Sequence, residues 1–299
     1  MDLSFKSFML PFAIGAVLLA QGCTSQSNYK SSAATMNQLI IAEPLSINFK
    51  TELAIANYSD FLIRAKLTDK QRAKVRFDRG LLYDSVGLRS LARIDFNQAV
   101  QLDTSLAKAY NFLGIHFIQD QHFSQAYEKF DAALEIDPNQ EYARLNRGIA
   151  LYYGNRPELA ADDFIHFHQQ KSEDPYRLLW LYFAEVNFDA TSAKKNLKQR
   201  SVFISDRTWA KQVIRLYLDE MNQAQFINKL TINVKSNKEL TERLCEAYFY
   251  LGKYNLHKGN QRAAASFFKL SLGTNVYEFV EHRYARLELD LMRIKKANK

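Results

Sequence analysis

Residues 107–140 read AKAYNFLGIHFIQDQHFSQAYEKFDAALEIDPNQ. Tyr110, Leu113, Gly114 and Phe117 recur at the spacing of one helix face. The polar step Asp120-Gln121-His122 interrupts them. Ala126, Phe130 and Ala133 then mark a second face, and Pro138 ends the stretch because it cannot continue a helix. The segment therefore predicts two helices folded back on each other. Gly114 and Ala126 stand where the pair approaches closely, so neither position can carry bulk.

The same lettering recurs on both sides. Gly80, Gly114 and Gly148 are 34 residues apart, as are Ala92, Ala126 and Ala160, and Phe96, Phe130 and Phe164. Gly252, Ala264 and Phe268 repeat the offsets further on. This period resembles the tetratricopeptide repeat. The expected fold is an all-α tetratricopeptide-repeat helical solenoid, with units at 73–106, 107–140, 141–174 and 245–277. Each Phe is expected to fill the seam with the next unit. Residues 175–244 read as degenerate helical repeats, with Leu178, Leu179, Leu181, Tyr182 and Ala184 on one helix and Val213, Ile214 and Tyr217 on another. Residues 44–72 read as one or two N-terminal helices, and 278–299 as a C-terminal capping helix and tail over the open end of the stack. Gly87, Gly154 and Gly259 fall in turns and Gly273 follows the last unit, so no glycine is left over for a phosphate-binding loop.

The N-terminus carries a different signal. Phe8 to Ala20 is an apolar run of thirteen, too short to span a bilayer of about 30 Å as a lasting helix. It fits a secretory signal. Leu18-Leu19-Ala20-Gln21-Gly22-Cys23 then resembles a bacterial lipobox, which makes 1–22 a lipoprotein signal peptide and Cys23 the lipidated residue. Thr24 rather than Asp follows, which implies sorting to the outer membrane, with the protein lipid-anchored and facing the periplasm. Residues 23–43, rich in Ser, Asn, Gln and Thr, read as a flexible tether with a reach of roughly 25 Å. The other cysteine, Cys245, then has no partner and sits on an apolar helical pattern as a small core residue.

Composition and motifs narrow the function. The 299 residues are 47% hydrophobic and 24% charged, with a net charge of +8, which excludes a disordered chain and a disulfide miniprotein. Nucleotide loops, nucleophile elbows, zincin motifs and C-x-x-C are absent. Asp162, Asp163, His166 and His168 form the best metal candidate, but His166 and His168 point to different helix faces, and the cluster reads as surface. No cofactor, metal or catalytic residue is expected, and the chain reads as no enzyme. The basic run 194–200 reads as a solvated helix face or a contact to an anionic polymer or phospholipid. Nucleic acid is not an expected partner for a secreted chain.

Repeat arrays bind through a groove lined by the first helix of each unit. By analogy with the repeat family, the positions facing it are Phe77, Leu81 and Asp84; Lys108, Asn111, Ile115 and Gln119; and Tyr142, Leu145, Ile149, Tyr152 and Tyr153. Tyr152-Tyr153 is the most partner-like pair, because Tyr offers large area with a polar tip. Units one and three share Arg-x-x-Arg-Gly, Arg76 to Gly80 and Arg144 to Gly148, with stems expected to pack and heads to stay wet.

Longer blocks carry a closer resemblance. Arg79-Gly80-Leu81-Leu82-Tyr83-Asp84-Ser85, Leu145 to Gly154, Tyr250-Leu251-Gly252-Lys253-Tyr254 and Phe279 to Ala285, together with the lipobox, resemble the NlpI family of tetratricopeptide outer-membrane lipoproteins. The resemblance implies a homodimer joined partly through N-terminal helices. It also implies an adaptor that binds the periplasmic tail-specific protease Prc, the murein endopeptidase MepS and other peptidoglycan enzymes. The alternative is a scaffold for peptidoglycan enzymes without a protease partner.

Overall fold

The computed structural model describes residues 39–297; Cys23, the lipobox and the start of the tether lie outside them. Among the described residues the chain is all-α, fourteen α-helices and a single 3-10 turn without a strand. Helix α1 (Phe49–Arg64) precedes the array. The first unit is α2 (Asp69–Ser85) and α3 (Arg89–Leu102), the second α4 (Ala107–Gln119) and α5 (Phe123–Ile136), the third α6 (Glu141–Tyr153) and α7 (Pro157–Gln169). A fourth pair, α8 (Pro175–Val186) and α9 (Ala190–Arg200), is followed by the short helices α10 (Lys211–Tyr217) and α11 (Gln223–Ile227). Helices α12 (Asn237–His257) and α13 (Gln261–Leu272) make the last unit, and α14 (Val280–Ala297) ends the chain. The fold is a tetratricopeptide-type helical solenoid.

One lock repeats through the array. A Cβ on Gly80, Gly114, Gly148 or Gly252 would stand 2.7, 2.6, 2.7 or 2.4 Å from the ring of the Phe sixteen residues on. The glycine thus admits the ring of its own unit. The expected seam contact is also made in the first unit, where Phe96 stacks against Phe112 of the second at 5.1 Å between centroids. Ala92, Ala126, Ala160 and Ala264 are fully buried beside these rings. The turn inside each unit carries one left-handed residue seven positions after the glycine: Gly87, Gln121, Asn155 and Gly259, with φ of 79°, 62°, 59° and 77°. In the third unit that role falls to Asn155, not to its neighbour Gly154. Gly154 instead clears space for the Tyr127 hydroxyl.

The two Arg-x-x-Arg-Gly motifs do not keep their heads in water. Arg79 grips buried Asp95 through Nε and Nη2, at 2.7 and 2.8 Å, and Arg76 adds a third bond. Arg147 grips buried Asp163 in the same way and also reaches Asp131. Hydrogen bonds to their aspartates hold both guanidiniums above the ordinary Arg range. The middle unit has Leu113 and Lys129 at the equivalent positions and forms no such pair.

The remaining differences from the expected layout lie at the ends and in the middle. A single helix, α1, occupies the region read as one or two. Helix α2 opens at Asp69 behind a Thr68–Gln71 capping box, and α12 opens at Asn237, eight residues before the expected unit. Residues 39–45 run back along the last unit: Tyr248 bonds the Ile40 main chain, Thr241 and Asn237 bond the Glu43 carbonyl, and the Leu45 amide reaches the Thr274 carbonyl. The N-terminal strap and α1 therefore tie the last unit to the first. Trp180 of α8 is the aromatic hub of the core, in contact with Tyr153, Phe164, Phe249 and Tyr284. Cys245 is buried, and burial pushes its thiol up to about 12.

Candidate partner-binding groove

Helix α14 does more than cover the last unit. It packs on α12 and α13 and also reaches α4 of the second unit. Its side chains engage the first helix of nearly every unit. Arg283 pairs with Asp84 of α2 and lies over the Phe112 ring of α4. Tyr284 lies tilted against the Tyr153 ring of α6 and meets Trp180 of α8 edge to face. Glu288 accepts from Tyr153 at 2.9 Å and pairs with Lys253 of α12. The chain's own last helix thus lies along the concave face.

Three polar clusters fasten it there. In the first, Asp84 takes a bond from His116 Nε2 at 2.9 Å as well as from Arg283. Burial opposes ionisation of Asp84, but His116 and Arg283 outweigh it and hold the carboxyl below its usual range. Burial lowers His116, against the opposing pull of the Asp84 carboxylate. In the second, the Lys253 ammonium is enclosed by the rings of Tyr152, Tyr153 and Phe183 at 4.7, 5.4 and 5.3 Å, and donates to the Tyr152 hydroxyl at 2.7 Å. Burial works against the charge on Lys253, yet Glu288 and Tyr152 prevail and raise it above the ordinary lysine range. In the third, Glu246 accepts from Tyr176 and Trp209, while Glu281 of α14 accepts from Tyr250 at 3.0 Å. Burial, reinforced by the charge of Glu281, pushes Glu246 up to about 8, and burial raises Glu281 as well.

What stays open is a chamber beside α14 of about 590 Å³. Its walls include Tyr182, Phe183 and Tyr217 on one side and Leu291 and Met292 of α14 on the other, over the Lys253–Glu288 pair. The chamber is of mixed character: aromatic and aliphatic side chains share its lining with Asn155, Asn187, His257, Gln261 and Lys295 as well as with the Lys253–Glu288 pair.

The sequence-predicted positions divide among different surroundings. Tyr152 and Tyr153 line the chamber, but their hydroxyls are committed to Lys253 and Glu288. Asp84 serves α14. Phe77, Ile115, Leu145 and Ile149 are buried in the core, Leu81 packs half-buried against it, and buried Asn111 accepts from Asn146 at 3.0 Å. Gln119 borders a second hollow beside Arg283. Lys108 and Tyr142 are exposed. Of the metal candidates, Asp163 and His168 are buried and Asp162 and His166 exposed, with Asp163 held by Arg147. Sequence reading did not single out Lys253, Glu288, Tyr182 or Tyr217 for this groove. The available signal was a charge on each of two apolar helix stripes, Lys253 on α12 and Glu288 on α14.

No family model matches the chain. It is similar in fold to tetratricopeptide-repeat proteins of known structure. One, from Parabacteroides merdae, is 14% identical over 82% of this chain and 100% of its own, with a TM-score of 0.49. Another, the C-terminal part of a repeat protein from Cytophaga hutchinsonii, is 14% identical over 81% and 93%, with a TM-score of 0.47. YrrB, a repeat protein with an unusual peptide-binding site, is 14% identical over 78% and 97%, with a TM-score of 0.41. The repeat assignment for this chain stands on its own 34-residue register and on the glycine–phenylalanine lock.

Proposed function

We propose that the chain is a non-enzymatic adaptor, lipid-anchored through Cys23 to the periplasmic side of the outer membrane. In this reading it brings the tail-specific protease Prc to the murein endopeptidase MepS and so regulates peptidoglycan turnover and cell division. Three observations support it. The lipobox-like Leu18 to Cys23 is the sequence feature that favours a membrane anchor. The helical-repeat array offers extended surface for protein partners. The blocks around Gly80, Gly148, Gly252 and His282 resemble the NlpI family, and the named partners come from that resemblance alone.

The observation that carries the binding site is the chamber beside α14. A client segment would lie against Tyr182, Phe183 and Tyr217, with Leu291 and Met292 opposite. Tyr152 and Tyr153 shape its base through Lys253 and Glu288 rather than standing free. Exposed Phe49, Leu53, Phe61 and Ile63 on α1 suit a second copy, giving a two-fold dimer. Pull-down from envelope extracts tests the reading. Recovery of a tail-specific protease together with an endopeptidase supports the adaptor; recovery of peptidoglycan enzymes without a protease leaves the scaffold in its place. Fractionation tests the anchor: Cys23→Ser should remain unprocessed by the lipoprotein signal peptidase, and normal processing of that variant would contradict it.

A further inference from the structure

The corner that follows α9 presents apolar side chains with nothing over them. Val202 and Phe203 are 71% and 66% exposed, in a 3-10 turn spanning Ser201–Phe203. The turn is built rather than loose. Ser201 and Ile204 on either side are buried, Ser201 Oγ donates to the Lys198 carbonyl at 2.9 Å, and Lys211 Nζ donates to the carbonyls of Ser201 and Ile204. Val202 and Phe203 are thus held outward on a fixed backbone.

Positive charge surrounds them. Ala193 and Leu197 bury one face of α9, and Lys195 and Lys198, in line with Val202, occupy the opposite face at helical spacing. Asp219 takes Lys194, Glu185 takes Arg200, and Asp206 takes Arg215. Those three carboxylates are therefore engaged, and among the described residues Lys195, Lys198 and Arg207 form no ion pair. Two exposed apolar side chains with three spare cations are too small a patch for a stable protein interface, which needs on the order of 1,000 Å². A soluble polyanion would use the cations and leave the apolar pair idle. A bilayer uses both, since a wedge enters the acyl boundary while cations hold the headgroups.

We propose that this corner is a docking surface for an anionic phospholipid bilayer, with Lys195, Lys198 and Arg207 on the headgroup phosphates and Val202 and Phe203 inserted beneath them. The inference needs neither the lipid anchor nor the adaptor reading. Residues 39–297 hold the array, its core and both of its end contacts, so the chain from residue 39 onward serves as the test protein.

The measurement is co-sedimentation with vesicles of mixed phosphatidylglycerol and phosphatidylcholine, against pure phosphatidylcholine. Binding to the anionic vesicles only, weakened by salt, is expected. Lys195→Glu with Lys198→Glu should weaken it by roughly fivefold or more per cation changed. Val202→Ser with Phe203→Ser should weaken it without altering the far-ultraviolet spectrum. Phe203→Trp should add a blue-shifted emission on vesicles that the parent protein, with Trp180 and Trp209 alone, does not give. Equal binding to neutral vesicles, indifference to both pairs of substitutions, or an emission from the Phe203→Trp variant that does not shift on vesicles would overturn the proposal. So would binding to soluble polyglutamate as tight as to vesicles and unaffected at Val202 and Phe203, which would make the patch a polyanion site.

Discussion

A glycine at 114 leaves room for one ring and no more. Gly114→Ala sets a methyl 2.6 Å from the Phe130 ring, in a core where overpacking costs about 1–3 kcal/mol. Thermal melting should fall by a few degrees, and Phe130→Leu in the same chain should recover part of the loss, because the two sites share one space. An unchanged melting temperature for Gly114→Ala would contradict the lock. Glu246 supports a prediction about pH. Burial lifts it from 4.5 to about 8, so its neutral form is favoured by the folded state. Its contribution is complete below its unfolded value and is lost as pH rises through about 8. Burial lowers His116, His168 and His282 from 6.5, and their opposite effect has faded about one pH unit above that value. Between about pH 7.5 and 9, stability should therefore decline, by about 1 kcal/mol, and Glu246→Gln should flatten the decline. Melting curves across that window check it; equal slopes in both proteins would exclude Glu246 as the cause. At this scale the sequence was legible wherever the 34-residue series ran. It hid Asp95 and Asp163, because a carboxylate on a helix reads as solvated until its arginine partner, 16 residues away, is known.

At the scale of elements, α14 governs the groove. Its amphipathic pattern was legible, and so was its place at the end of the stack. Its path along the concave face was not, because the contacts that set the path join residues far apart in sequence, Arg283 to Asp84 and Glu288 to Tyr153, outside any repeat period. The middle of the array was obscure for a related reason. Tyr182 stands where the period would put Gly and Lys198 where it would put Phe, with Leu197 one residue earlier, so the glycine–phenylalanine signature is lost although the link between α8 and α9 is three residues long, as in the other units. The α14 contact has a measurable consequence. Glu288→Ala would leave the Lys253 ammonium enclosed without its carboxylate, costing about 3–5 kcal/mol. Lys253→Met with Glu288→Leu should cost much less, since both charges go together. Chemical denaturation of the three proteins checks the order; a double variant as unstable as Glu288→Ala would contradict it.

The whole molecule is an array whose two ends are tied. Arg283 and Tyr277 reach the first unit at Asp84 and Gly87, and residues 39–45 lie on the last unit before the chain crosses to α1. An open repeat array contacts only its neighbours along one axis; here the first and last units also support each other. Phe49 of α1 remains 71% exposed and Ile63 82%. A second copy should cover them, so sedimentation at micromolar concentration should give twice the chain mass, and Phe49→Asp with Ile63→Asp should give the monomer. An unaltered chain that sediments as a monomer would contradict the dimer. The most direct test of the adaptor itself is degradation of purified MepS by purified Prc, with and without this protein. Faster degradation is expected with it, and at least a tenfold weaker effect, about 1.4 kcal/mol, when Val186→Glu and Met292→Glu, both in the chamber wall, place charges there without lowering the melting temperature. No acceleration by the unaltered protein would contradict the adaptor, and full acceleration by the folded double variant would contradict the chamber as its binding site.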